Sequence, residues 1–216
     1  MHFRPDTCVY DRMTYIKSIF LVACLLTLFG FNSPKKAVDG TVCLNKEEQK
    51  LYELMMDYRK SKGLDPIPLS AKLTKVAQAH AKDLVNTYTF KVDNKCNPHS
   101  WSKKGKWTSC CYTSDHKQAK CMWDKPKEIA GYASPGYEIA YYSSAGAKAF
   151  EGLEGWKKSP GHNPLIINDG TWAKAKWQGI GIGFEGEYGV VWFGELEDDT
   201  VPGVCGPEVN ARTTSN

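Results

Sequence analysis

Three side chains carry chemistry that a folded domain can use: His99, Glu138 and His162. Two neutral imidazoles and a carboxylate suit Zn²⁺ or another divalent metal and leave one coordination position for water. Water held there becomes a nucleophile, so the chemistry would be metal-assisted hydrolysis of an ester or a peptide. The same groups can instead form a hydrogen-bonded cluster that fixes the loops around a ligand cleft, with no catalytic residue and no required cofactor. They sit in three separate stretches, His99–Ser102 (HSWS), Gly136–Ala140 (GYEIA) and Trp156–His162 (WKKSPGH). Unlike a self-contained H-E-x-x-H, such a set needs the fold to bring it together.

Ser100, Tyr137 and Ser159 neighbour these groups and are secondary candidates for ligand contact. A serine-protease set can be assembled on paper from Ser100 or Ser159, His99 or His162, and Glu138. No G-x-S-x-G elbow marks a nucleophile, and Ser159 precedes Pro160, which is turn chemistry. His80 falls on the apolar helix face formed by Leu73, Val76, Ala77 and Leu84, and reads as a hydrogen-bonded core residue rather than a ligand.

Beyond the N-terminal apolar run the chain has Cys43, Cys96, Cys110, Cys111, Cys121 and Cys205. In an oxidising compartment disulfides are the default. Cys43 and Cys205 flank the domain and would make a terminal staple if its ends lie close. Cys96, Cys110, Cys111 and Cys121 would then pair within one loop, in an order the sequence leaves open. Their irregular spacing, with two adjacent, lacks the paired C-x₂₋₄-C pattern of a structural zinc site.

The elements that must position these groups are legible to different degrees. Asn45 and Glu48 form a capping box ahead of Leu51, Leu54, Met55 and Tyr58, and Gly63 stops that helix. Ser70 caps a second helix. The segment 103–133 is polar, cysteine-rich and irregular, an insertion that disulfides should pin, with Trp107, Tyr112, Met122 and Trp123 as a small satellite core. Gly136–Ala140 reads as a turn, followed by a helix over about Ser144–Lys158. In Trp177–Phe184, Ile180, Ile182 and Phe184 alternate with Gly179, Gly181 and Gly183; this is strand periodicity, with glycines on one face implying an element packed against the backbone. Tyr188–Gly194 is the returning strand, and the chain from Glu197 onward reads as a loose tail apart from Cys205.

Composition bounds the function. The chain has 216 residues, 42% hydrophobic and 24% charged, with a dispersed net charge of +4. One domain over 43–205 with a tail at 206–216 fits, and no basic block argues for nucleic acid. The 14-residue apolar run Ser18–Phe31 between Lys17 and Pro34-Lys35-Lys36 is short for a bilayer span and matches a signal peptide over 1–37, with Met13 an alternative start. Leu21-Val22-Ala23-Cys24 resembles a lipoprotein box, but the apolar run continues past Cys24. The expectation is a secreted, extracellular or cell-envelope monomer without a membrane span in its mature chain.

In order along Asn45–Leu196, the stretches Ala77–Ala81 (AQAHA), HSWS, GYEIA, WKKSPGH and Ile180–Gly183 (IGIG) resemble the patterns of the CAP superfamily, the cysteine-rich secretory, antigen 5 and pathogenesis-related 1 proteins with SCP domains, most of all its bacterial-type branch. The resemblance implies an α+β fold, a three-layer α-β-α sandwich with a central antiparallel sheet. It also implies a cleft with two histidines and two acidic residues, where some members bind a divalent metal. Tyr137 holds the position of the family glutamate, and Glu138 follows one residue later. Two functions follow as expectations: a secreted, non-enzymatic binding module for a lipid, glycan or protein ligand, or a zinc-dependent hydrolase or peptidase acting through the same cleft.

Overall fold

The first helix begins where its capping residues dictate. Asn45 accepts from the amides of Glu47 and Glu48, and the Glu48 carboxylate accepts from the Asn45 amide in return. This starts α1 (Lys46–Ser61), which buries Leu51 and Met55; Gly63, at φ +74°, ends the turn beyond it. Ser70 opens α2 (Ala71–Thr87) by accepting from the Leu73 amide at 3.0 Å, while its hydroxyl donates to Asp198 at 2.6 Å. The computed structural model describes residues 36–87 and 95–206. The expected leader with Met13 and Cys24, and nearly all of the 206–216 tail, lie outside the described residues.

The central sheet is antiparallel, β2 (Gly136–Tyr142), β4 (Tyr188–Gly194) and β3 (Gly179–Glu185) in the order β2-β4-β3. Alternation along β4 divides two cores: Val191 and Phe193 face one, and Tyr188, Val190 and Trp192 face the other. The first core joins α1 and α5 (Ala149–Lys158) through Leu51, Met55, Leu153 and Trp156. The second joins α2 through Leu73, Val76, Ala77 and Leu84. The result is a three-layer α-β-α sandwich of α+β class. The glycine face of β3 is where α2 approaches: a Cβ on Gly181 would fall 2.0 Å from the Leu73 carbonyl carbon, and one on Gly183 would fall 2.3 Å from that of Ala77.

Three expectations change. Gly136–Ala140 is not a turn but the start of β2, with Glu138 opposite Trp192 and Ile139 opposite Val191; β4, distant in sequence, holds it extended. The helix expected from Ser144 begins at Ala149, because Gly146 at φ +91° turns the chain first. The stretch after Glu197 is not loose: β5 (Thr200–Val204) pairs in parallel with β1 (Ala37–Leu44), which carries the folded unit N-terminal of the expected boundary at Cys43.

Among the described residues the disulfides are Cys43–Cys205, Cys96–Cys111 and Cys110–Cys121. The first is the terminal staple. The other two pin the insertion, sending the adjacent Cys110 and Cys111 to different partners. Two short helices lie in it, α3 (Ala119–Trp123) and α4 (Lys125–Ala130), and α6 (Asn163–Ile166) follows α5. Among the described residues no helix is long and apolar enough to cross a membrane.

Candidate functional site

The site is built on β2, an edge strand. Successive side chains of a strand point to opposite faces. Tyr137 meets the rings of Trp172, Trp177 and Trp123 at centroid distances of 4.8, 5.6 and 5.9 Å. Glu138 therefore turns toward α2, and the one-residue offset of the glutamate leaves it aimed at the histidines. Its side chain is fully buried. Oε1 accepts from His99 Nδ1 at 2.7 Å, and Oε2 lies against His80 Nδ1.

His80 comes from the apolar face of α2 and is also fully buried. Its ring stacks on Trp101 at 4.0 Å with an interplanar angle of 9°. Its Nε2 is 2.9 Å from the Ser100 carbonyl oxygen. A carbonyl only accepts, so Nε2 carries a proton. The remaining contact, Nδ1 to Glu138, must then hold one further proton between ring and carboxylate, which makes the His80–Glu138 pair neutral as a unit. His99 gives its Nδ1 proton to the other oxygen and keeps Nε2 for the cleft.

The electrostatics follow. Burial pushes the Glu138 carboxyl upward, but the charges and hydrogen bonds of His80 and then His99 together hold it below the usual carboxylate value. His162 moves the other way for a histidine, lowered by burial and then by His99. It is a neutral imidazole near neutral pH. Burial raises the phenols of Tyr112 and Tyr137, which stay protonated donors.

His99, Glu138 and His162 do meet: they line one cleft of about 380 Å³, together with Tyr137. Its opposite wall comes from the cysteine-rich insertion, through Tyr112, His116, Met122 and Trp123. Ser100 does not reach the cleft; it is buried, with Oγ accepting from the Tyr112 amide at 2.8 Å. Ser159 caps the end of α5, its carbonyl accepting from Asn163, and is not among the lining residues. The helix-face reading of His80 as a hydrogen-bonded core residue is right about burial and missed its partner. The signal was a histidine on an apolar helix face and a lone carboxylate in an apolar strand, each needing a partner. His116 and Trp123 gave no comparable sign as cleft residues.

The set does not fit a metal centre in the arrangement expected of it. Each oxygen of Glu138 already faces an imidazole nitrogen, so the carboxylate orients the two rings. Among the described residues no group of three or more His, Cys, Asp or Glu side chains is placed to hold a metal ion.

With the geometry in view, comparison with known proteins gives one family model, CAP, described as the cysteine-rich secretory protein family, matching residues 52–194. Among solved structures, an extracellular protein containing an SCP domain from Bacillus anthracis str. Ames is similar at 17% identity and a TM-score of 0.49, over 69% of this chain and 40% of that one. A cysteine-rich secretory protein from Staphylococcus aureus subsp. aureus Mu50 is similar at 18% identity and a TM-score of 0.46, over 69% of this chain and 38% of that one. The chain thus spans about 40% of the length of either structure. No curated protein matches it.

Proposed function

The chain belongs to the CAP, or cysteine-rich secretory protein, family, and from that premise we propose that it is an exported, non-enzymatic binding module whose ligand enters the cleft beside His99, Glu138 and His162. One observation carries the reading: Glu138, the only carboxylate lining the cleft among the described residues, has each oxygen against an imidazole nitrogen, of His80 and of His99. Glu138 is thus a positioner of His99 rather than a base itself, and beside His99 Nε2 no Ser, Thr or Cys nucleophile lines the cleft among the described residues. A carboxylate clamped by two rings instead locks β2, α2 and the His99 loop together, which gives a pocket formed in advance of its ligand. Export is supported by the three disulfides among the described residues and by the apolar N-terminal run.

The test incubates the purified protein with Zn²⁺ and a panel of ester and peptide substrates, beside a His99→Ala, His162→Ala double variant. The module reading expects no turnover above the double variant. Zinc-dependent turnover that the double variant loses would establish the hydrolase instead.

A further inference from the structure

We infer that the cleft takes an uncharged saccharide, stacked on an aromatic wall that the disulfide-tethered insertion supplies. The inference rests on the binding-module reading and names its ligand class.

Charge comes first. Among the described residues no Lys, Arg or Asp lines the cleft. Its one carboxylate is already balanced by the proton shared with His80, and burial holds His162 neutral. An anionic ligand such as a fatty acid would meet no counter-charge and a cationic one no free carboxylate, so either would lose its hydration uncompensated.

Shape and surface come second. Trp123 is 37% exposed although it is a large aromatic, and it stands edge-on to Tyr137 at 5.9 Å, which stands edge-on to Trp172 at 4.8 Å. Aromatic faces at a cleft mouth receive the C–H faces of a sugar ring and leave its hydroxyls outward. Trp123 ends α3, and the Cys110–Cys121 disulfide ties that helix to the rest of the insertion.

Hydrogen bonding comes third. The Tyr112 hydroxyl and His116 Nδ1 are 2.8 Å apart. Whichever way that proton points, the pair offers one donor and one acceptor onward, which is what a sugar hydroxyl requires. His99 adds its Nε2. A sterol or an alkyl chain would cover His99, His116 and His162 and leave them unpaired. The volume, about 380 Å³, lies near the small end of ligand pockets and suits roughly one or two sugar rings.

The experiment titrates the purified protein by calorimetry with trisaccharides of N-acetylglucosamine, glucose, xylose and mannose, a trigalacturonate as the charged counterpart, and cholesterol and oleate. Trp123→Ala, Trp123→Phe, His116→Gly and Phe150→Ala are run in parallel. His116 sits at φ +59°, a conformation glycine adopts freely, so that variant removes the imidazole with the turn intact. Phe150, 54% exposed and absent from the cleft lining, is the control. Saturable binding of at least one uncharged trisaccharide is expected, weakened about tenfold or more by Trp123→Ala, weakened by His116→Gly, largely kept by Trp123→Phe and untouched by Phe150→Ala. No saturable binding of any uncharged saccharide, or binding indifferent to both Trp123→Ala and His116→Gly, overturns the inference. Trp123-dependent binding of oleate or cholesterol alone overturns the sugar and leaves the module reading intact. Hydrolysis of a bound saccharide would overturn the module reading while leaving the sugar in place.

Discussion

Glu48 and Glu138 are both withdrawn from water, at 1% and 5% exposure, and each fixes a helix to the central sheet. Glu48 accepts from the Asn45 amide at 2.8 Å, from Gln78 Nε2 at 3.0 Å and from the Phe184 amide at 3.0 Å, which joins the start of α1 to α2 and β3. Every donor there is neutral, and burial lifts the Glu48 carboxyl above its usual value despite them. Glu138 accepts from two imidazoles, and its carboxyl falls below the usual value although its burial is as deep. Amides satisfy a carboxylate's lone pairs without offsetting the cost of its charge, whereas a partner that brings a proton does both. The Glu48 corner is therefore a joint, and the Glu138 cluster is a joint with a protonated partner beside an open cleft.

The sharpest way to break this comparison is to remove each carboxylate. Glu138→Ala strands the buried His80 and its proton, and should cost about 3–5 kcal/mol of stability in urea unfolding; a loss below about 1 kcal/mol would mean that the two sites are alike. Glu48→Ala leaves only neutral amides unpaired and should cost about 1–3 kcal/mol. His99→Ala removes a partner that is 19% exposed at the cleft rim. It should cost roughly 1 kcal/mol, because solvent can replace part of what is lost.

Parts of this arrangement could be read before the structure and parts could not. The Asn45–Glu48 capping box was legible because its residues lie within one turn. That some element packs on β3 was legible because Gly179, Gly181 and Gly183 share a face, and a bare face on a buried strand needs a backbone against it; that the element is α2 was not. The Cys43–Cys205 staple was suggested by position on the condition that the ends lie close, which the pairing of β1 with β5 meets. The His80–Glu138 contact was not legible: the apolar stripe of α2 says that His80 is inside but not which strand it faces. β2 was mistaken for a turn because its partner, β4, lies some fifty residues downstream. The insertion's role as a cleft wall was hidden for the same reason, since Tyr112, His116 and Trp123 have no periodicity and are placed by two disulfides.

The smallest effect, and the one that sharpens the comparison most finely, is in the pH dependence. The folded value of Glu138 lies below its free-chain value of 4.5, so its stabilisation is present above pH 4.5 and is lost as pH falls through the lower folded value. The folded value of Glu48 lies above 4.5, so its contribution is present below pH 4.5 and is lost as pH rises through the higher folded value. Glu138→Gln should flatten the acid side of the stability profile, and Glu48→Gln should flatten the decline on the side above 4.5. Urea midpoints measured across the acid range for both variants check the opposite signs.

The central claim, that Glu138 is held by two imidazole protons, is open to direct observation by nitrogen-15 NMR of the histidine rings. The account predicts a proton on Nε2 of His80, a strongly deshielded proton in the His80 Nδ1–Glu138 contact, and His99 protonated at Nδ1 with Nε2 bare, all unchanged when zinc is added. A bare Nδ1 on His99, or a zinc-induced loss of either Nδ1 proton, would free the carboxylate and contradict the account.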